Sequence, residues 1–567
     1  MLKAAGKESS LVIILRQRDI NSAMRSAEQF RKDLIKGART RFPAVLLCLA
    51  LNLFGLFQAR AYVPNLAWAV EAGGTDFDSA NALAVDTNGN CYIAGTFQSS
   101  TARFGNITLT NSSASGTYKD IFVAKLAPSG SVLWAKGAGG DLSTDAAAGI
   151  AVDAAGNCYV TGTFYYIATF GNLSLTNFGS GDAVFLAKYD SAGNLLWVRQ
   201  SVGSLEAHGA AIAVTTDGNS YITGDFSGSV AFGGLVLTNA GNHDVFVAKY
   251  DPAGNPIWAV GAGGNLDDQG NGIALDAVGN CYVTGACLST NAIFGSLMLS
   301  NSGGADVFVA KYSSTGIALW ARHGGGPNDS YGYGIAADAS GNSFITGSFN
   351  SLVQFGPTAL INNGSGGDIF VAKYDPAGNM LWARQAGGNN DDQGFGMTVD
   401  AAGCSYAAGY FTGAALFGGA GLTSVGLSDA FVTKYDSAGN LLWVKQVGGT
   451  NSVHGLSIGA DSSGNGFLAG YSAATNVGGI TVTNRGSADA FIVRIDAARL
   501  AIAPLSAAQV RLSWPVLPTG FHLESTGNVG LTNSWSTVTN VPVPGGDLYS
   551  VNLAATKASN FFRLKKP

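Results

Sequence analysis

The chain has 567 residues, of which 79 are glycine and only 14 are proline. Glycine is about twice its usual share, without the three-residue period of collagen. Charged residues make up 12% and apolar residues 47%, which excludes a highly charged disordered chain and a long coiled coil. The formal net charge of -5 leaves no electrostatic footprint for nucleic acid. A chain of this length is predicted to hold two or more domains or one repeat architecture.

The longest apolar run is AVLLCLALNLFGLF at 44–57. Arg31, Lys32, Lys36, Arg39 and Arg41 precede it, and Ala59-Arg60-Ala61 follows it. A basic region, an apolar region and small residues at the cut read as a secretory signal peptide over 1–61, cleaved after Ala61. Fourteen residues rise about 21 Å as a helix, short of the ~30 Å hydrocarbon core. An uncleaved membrane anchor is the competing reading, and Met24 competes with Met1 as the start. No other segment has the length and apolarity to span a bilayer. The mature chain is expected to be bacterial, exported, monomeric, and extracellular or on the cell surface.

From residue 62 the sequence repeats. Trp68, Trp134, Trp197, Trp258, Trp320, Trp382 and Trp443 are spaced by 66, 63, 61, 62, 62 and 61 residues. A DxxGN turn recurs in phase, as in DAAGNCY from Asp153 and DAVGNCY from Asp276. FVAKY or a close variant begins at Phe122, Phe185, Phe246, Phe308, Phe370, Phe431 and Phe491. Each unit reads as four short strands of the GIAVD, CYVTG, FVAKYD and GNLLWVRQ types, rich in Val, Ile, Tyr, Phe, Trp and Thr. Between the second and third lies a longer piece such as FGNLSLTNFGSGD from Phe170, whose alternation predicts an extra hairpin or an extended arm.

Short four-stranded sheets at a regular period pack best as blades around an axis. The predicted fold is therefore all-β: a seven-bladed β-propeller over 62–499, closed by the N-terminal strand. The first unit starts on its Trp strand and the last has none, so strand 66–71 is predicted to pair beside 491–495. An open solenoid would need distinct capping repeats, and none is visible. After residue 500 the repeat stops. QVRLSWPV, GFHLEST, SWSTVTNV, DLYSVNL and NFFRLKKP predict a small β-sandwich over 500–567, of fibronectin-like type, with Trp514 and Trp535 in its core.

GIAVDAAGNCYVTG from Gly149 and VFVAKYDPAGNPIW from Val245 resemble the seven-bladed β-propeller repeat family (SBBP) of bacterial secreted proteins. The resemblance covers about residues 66–496, in units longer than that family's. It implies an exported scaffold without a defined reaction, so it assigns no catalytic residue. A fainter resemblance is to quinoprotein propellers, whose blades dock through Gly-x-x-x-Trp. Gly193 to Trp197 and Gly439 to Trp443 fit that spacing, but no signature of the quinone or of its calcium accompanies them.

Cys91, Cys158 and Cys281 share one repeat position, beyond disulfide reach of each other in a ring. With Cys287 and Cys404 they read as buried thiols, and the absence of CxxC argues against zinc. No HExxH, GxSxG or P-loop occurs. Lys125, Lys188, Lys249, Lys311, Lys373 and Lys434, with Arg494, recur once per blade. They are expected to pair with turn carboxylates such as Asp86 or Asp153.

Positions alike in every blade are explained by folding, and positions that differ are free to serve a ligand. The loop after each Trp strand leads to such a position: Ser79, Ala146, His208, Gln269, Tyr331, Gln393 and His454. These loops are expected to ring one mouth of the central channel. There His208, Gln269, Tyr331, Gln393 and His454, with Asp267, Asp268, Asp391 and Asp392, would suit sugar hydroxyls or a cation. Calcium favours such oxygen ligands, yet no loop has a full calcium-binding spacing. No cofactor is otherwise implied. Three functions remain open: a scaffold binding glycan or protein, a polysaccharide lyase or hydrolase, and a purely structural surface protein. Convergence of His208, Tyr331 and Asp329 in one cleft would favour the enzyme.

Overall fold

A computed structural model describes residues 64 and 66–496, apart from 114, 115, 143 and 204, together with strands at 13–16 and between 501 and 565. Every regular element among the described residues is a β-strand or turn; none is a helix. Two compact units result, Asn65–Asp496 and a second formed by Met1–Pro64 with Ala497–Pro567.

The larger unit is a seven-bladed propeller. Blade 1 shows the plan: strand a is Asp78–Val85, b Cys91–Phe97, c Asp120–Leu126 and d Val132–Gly139, hydrogen-bonded in that order. The seven a strands touch in sequence, and the last, Val453–Ala460, touches the first, so they line the axis. Blade 7 takes its outer strand from the start of the unit. Leu66–Ala72 pairs antiparallel with Asp489–Ile495, with Trp68 opposite Arg494 and Glu71 opposite Phe491.

The piece between b and c is a hairpin, Thr101–Phe104 with Ile107–Thr110 in blade 1. Its partner lies outside its own blade. In blades 2 to 6 the hairpin extends the d strand of the preceding blade, as Phe170 does opposite Ala138. Each hairpin phenylalanine also packs on the c strand of its own blade; Phe104–Phe122 and Phe232–Phe246 ring centroids lie 4.8 and 4.7 Å apart. The arm therefore ties two blades together.

Blades also dock through the Trp strand. Trp320 Nε1 donates to Pro376 O of the next blade at 3.0 Å, and its ring lies on Gly378. A Cβ at Gly378 would come within 2.7 Å of the indole, and the residue sits at φ +80°, so glycine is required there twice over. The Arg322 guanidinium carbon lies 5.8 Å from the indole ring centre, and its Nε donates to Gly378 O at 2.9 Å. Tyr282 of strand b donates to Gly341 O at 2.8 Å in the neighbouring DxxGN turn.

The repeated lysines meet the expectation of a turn carboxylate in two blades and depart from it in the others. Five of them donate to a backbone carbonyl of the next blade, for example Lys249 to Ser314 O at 3.0 Å and Lys373 to Ser437 O at 3.1 Å. Each ammonium also lies over an aromatic ring of strand b, 4.7 Å away at Lys125 and Tyr92. Asp86 and Asp153 are occupied by their own turns; Asp86 accepts Asn88 N, Asn90 N and Asn90 Nδ2. Carboxylate partners are confined, among the described lysines, to Lys311–Asp276 at 3.6 Å and Lys434–Asp400 at 2.9 Å. Cys91, Cys158, Cys281, Cys287 and Cys404 are buried, and none of them is in a disulfide.

The smaller unit holds two four-stranded sheets. One orders Ala501–Ser506, Gln509–Pro515, Leu548–Ala554 and Val543–Gly545. The other orders Ile13–Arg16, Ser559–Lys565, His522–Thr526 and Ser536–Thr537. Ala501–Ser506 and Ile13–Arg16 are strands that the sequence reading did not anticipate, and the second lies within the expected leader. The apolar run at 44–57, the cut after Ala61 and the side chains of Trp514 and Trp535 lie outside the described residues.

Candidate functional site

The position that varies between blades has a common backbone. In each blade the a–b ladder shifts register just after it, between Gly209 and Ala211 in blade 3 and between Gly332 and Gly334 in blade 5. Opposite the next residue of strand a, the strand-b residue is always glycine: Gly95, Gly162, Gly224, Gly285, Gly347, Gly409 and Gly470. A Cβ on any of these would fall 1.8–2.0 Å from the carbonyl oxygen of Ser79, Ala146, His208, Gln269, Tyr331, Gln393 or His454. Glycine thus permits a bulge that presents one side chain per blade at the start of the inner strand.

Around one half of this mouth the presented residues join an aromatic arc. Tyr331 stacks on Tyr333 at 6.1 Å, and Tyr333 meets Phe395 of the next blade at 5.0 Å. Phe395 leads to Tyr410 at 6.0 Å, Tyr410 to His454 at 3.9 Å, and His454 to Tyr471 at 4.8 Å. Tyr471 meets Phe77 of blade 1 at 5.1 Å, and the Lys119 ammonium lies 4.9 Å from the centre of Phe77. All seven rings are half-buried. Burial raises the Tyr331 and Tyr410 phenols, assisted by Asp329 and Asp391 respectively, so both remain hydrogen-bond donors.

His454 is fixed by two contacts, Ser428 Oγ at 2.7 Å and Tyr471 OH at 2.8 Å. Burial lowers its imidazole to about 4, against a weak opposing pull from Asp391; it is neutral near pH 7. Asp391 accepts from Tyr410 OH at 2.5 Å and from Gln393 Nε2 at 3.1 Å.

The other half is built from charges. His208 lies between Asp225, at 3.0 Å from Nδ1, and Asp182, at 3.5 Å from Nε2. Hydrogen bonds from the imidazole to Asp182 and Asp225 raise it to about 10. His243 lies between Asp267 at 3.0 Å and Glu206 at 2.9 Å. Burial pulls this imidazole down, but the two carboxylates more than offset it and its net shift is upward. The rings of His208 and His243 are 6.3 Å apart. His208 is thus held as a cation, and both imidazoles are engaged on either side by carboxylates, a poor state for a general base.

Of the residues singled out in the sequence, Tyr331, Gln393, His454 and Asp391 fall in or beside the arc, and His208 and Asp267 in the charged cluster. Gln269 is exposed. Asp268 and Asp392 face inward: both are fully buried and accept backbone N–H groups, from Gly264 at 2.8 Å and Gly388 at 2.7 Å. Among the described residues no group of three or more His, Cys, Asp or Glu side chains is arranged to hold a metal ion. Tyr331 and Asp329 interact, whereas His208 is engaged by Asp182 and Asp225 instead. Tyr333, Phe395, Tyr410, Tyr471, Phe77 and His243 were missed. Most of them stand two residues after the variable position or opposite it, as Tyr410 faces Gln393 and Tyr471 faces His454.

Comparison with known proteins agrees with the architecture. The chain is 25% identical over 530 residues to an uncharacterized WD repeat-containing protein, L264, of Acanthamoeba polyphaga mimivirus, an alignment covering 75% of this chain and 37% of that protein. It is 31% identical over 137 residues to the regulatory protein FlaEY of Caulobacter vibrioides, covering 24% of this chain and 14% of that one. The chain thus spans well under half the length of these relatives. Among solved structures an exotype rhamnogalacturonan lyase, YesX, aligns over 78% of this chain and 89% of its own at 9% identity, with a TM-score of 0.24; so low a score carries no argument about this chain. Residues 319–351 match the family model of the SBBP β-propeller repeat, the same segment in which Trp320 docks one blade on the next.

Proposed function

We propose that the chain is an exported binding scaffold whose channel mouth takes a glycan. One observation carries the reading: seven blades with one shared framework differ at the bulged position, and there they assemble a contiguous half-buried aromatic arc. Rings fixed by mutual stacking lose little entropy on binding, and Tyr is the residue type that binding surfaces favour. The phenols of Tyr331 and Tyr410, the amides of Gln269 and Gln393 and the carboxylates of Asp267 and Asp391 supply donors and acceptors for sugar hydroxyls.

In this reading the ring is closed by its own first strand, the tail forms a small sandwich that retains the protein at the cell surface, and the chain acts as a monomer. Cleavage after Ala61 would remove Ile13–Arg16 and leave Ser559–Lys565 as an edge strand; sequencing the N-terminus of the exported protein tests that step. A glycan-array screen of residues 62–567, with and without calcium, tests the ligand class. Saturable binding that falls at least about tenfold in Tyr410→Ala and in Tyr331→Ala, as for interface hot spots, supports the reading. Binding indifferent to both substitutions would move the ligand elsewhere, and no glycan binding would leave a protein partner as the occupant.

A further inference from the structure

Six blades begin strand c with a buried aspartate: Asp120, Asp244, Asp306, Asp368, Asp429 and Asp489. One oxygen, Oδ2, accepts a backbone N–H from the loop just before it, as from Ala240 at 2.9 Å, Val425 at 2.8 Å and Arg485 at 3.0 Å. The fate of the other depends on the next blade. Where that blade offers no second acid, Oδ1 accepts the N–H of a loop glycine: Gly326 to Asp306 and Gly449 to Asp429, both at 3.4 Å.

Four interfaces place a second aspartate at the entry to strand a, and it captures that N–H. Gly74 donates to Asp78 at 2.7 Å, Gly140 to Asp145 at 2.8 Å, Gly264 to Asp268 at 2.8 Å and Gly388 to Asp392 at 2.7 Å. In those same four interfaces Oδ1 of the strand-c residue (Asp489, Asp120, Asp244 and Asp368) has no hydrogen-bond partner. It faces its neighbour's carboxylate. A methyl built on Gly263 would meet Asp244 Oδ1 at 2.5 Å and Asp268 Oδ2 at 2.9 Å; on Gly73 it would meet Asp489 Oδ1 at 2.5 Å and Asp78 Oδ2 at 2.7 Å. Two buried acceptors turned on each other without a donor repel unless one carries hydrogen.

We propose that each of these four interfaces holds one proton, carried on the orphaned Oδ1 and donated into the facing carboxylate, so that four protons taken from solvent on folding lock adjacent blades together. The donors decide the arrangement within each pair. The strand-a acids already accept two or more N–H or O–H groups, as Asp78 does from Gly74, Gln98 and Ser99, and so keep the charge. The proton belongs to the pair in any titration. Burial raises Asp145 to about 8, Asp392 to about 7 and Asp489 to about 6, and raises Asp78, Asp120, Asp244 and Asp368 as well.

Few countercharges face these pairs. Arg485 Nη1 lies 3.7 Å from Asp489, and Glu71, itself raised to about 8 by burial and by Asp489, faces the same pair. Asp182 bears on Asp145, His243 on Asp244 and Asp391 on Asp392. Because the folded pairs bind protons that the unfolded chain has released, the stabilisation is complete below the unfolded carboxyl range and is lost as pH rises toward 8.

The test is urea unfolding of the full chain between about pH 5 and about pH 8, where each linked proton lowers the folding constant by up to about tenfold per pH unit. Asp244→Asn with Asp368→Asn places a permanent N–H donor at two orphaned positions. That double variant is expected to lose two pairs' share of the slope and to be the more stable protein at about pH 8, above the unfolded carboxyl range. Asp306→Asn, at an interface without a second acid, is expected to leave the slope unchanged. Infrared spectra of the unaltered protein near neutral pH are expected to show the carbonyl stretch of protonated carboxyl groups. That reading needs no variant to fold. An absent band, an undiminished slope in the double variant, or stoichiometric calcium binding that the double variant abolishes would each overturn the proposal, the last by placing a cation where the proton is assigned.

Discussion

The circumference of the propeller and its mouth obey different rules. Around the outside, most blades repeat one set of contacts: an indole on the next blade's turn glycine, a lysine on the next blade's carbonyl, a hairpin on the preceding blade's outer strand. At the mouth, one framework of bulges carries Ser79, Ala146, His208, Gln269, Tyr331, Gln393 and His454. The difference shows where each kind of residue is constrained. The outer contacts must recur because every blade meets an identical neighbour. The bulge must recur because it sets the backbone, but the side chain it presents meets no such demand. Even within the mouth the repeat breaks into two halves, aromatic on blades 5, 6, 7 and 1 and charged around His208 and His243.

The largest effect is expected from breaking the circumference. Trp320 is 7% exposed, and Trp320→Ala removes its packing on Gly378, the bond to Pro376 O and the contact with Arg322. A truncation of this kind costs about 3–5 kcal/mol. Urea unfolding is expected to show that loss, while glycan binding by the residual folded protein keeps its affinity. The next effect comes from the frame of the mouth. In Gly347→Ala the new methyl would sit 1.8 Å from Tyr331 O and 2.8 Å from the Phe370 ring. Backbone cannot yield as a side chain does, so about 1–3 kcal/mol is expected, the usual cost of overpacking. Because the bulge itself must shift, this variant is expected to weaken ligand binding as well, which Trp320→Ala is not.

Much of this was legible in the residues, and the boundary is physical. Tryptophan spacing, DxxGN turns and FVAKY strands report the blade count because they are local and repeat. The position that varies stood out for the same reason, against a constant background. The arc did not, because Tyr410 comes next to Gln393 only through a ladder pairing, and Tyr333 comes next to Phe395 only because two blades abut. Four of the six lysines misled for a related cause. Asp86 and Asp153 are the nearest acids in the repeat, but their oxygens are saturated by their own turns, leaving the neighbouring blade's carbonyl as the acceptor. The grouping of Asp267 with Asp268, and of Asp391 with Asp392, ignored that neighbours in sequence need not share an environment: Asp268 and Asp392 are sealed between blades, whereas Asp267 and Asp391 are not.

The smallest effect separates the two halves by pH. His454 is held neutral within the arc, its imidazole lowered to about 4, whereas His208 is held charged at about 10. Their linkages have opposite signs. As pH falls from about 6.5, the unfolded value, toward 4, the unfolded chain binds a proton that folded His454 refuses, so its contribution to stability shrinks on acidification. His208 contributes fully below about 6.5 and loses its contribution as pH rises through 10. His454→Gln keeps a polar partner for Ser428 and removes the titration. Its unfolding midpoint is therefore expected to fall less than that of the unaltered chain between about pH 6.5 and about pH 4. His208→Gln is expected to leave that acid window unchanged and to alter the alkaline one. If the His454 substitution also weakens binding near neutral pH, where its charge is zero, the ring's stacking on Tyr410 matters rather than its proton, and the arc acts as one rigid surface.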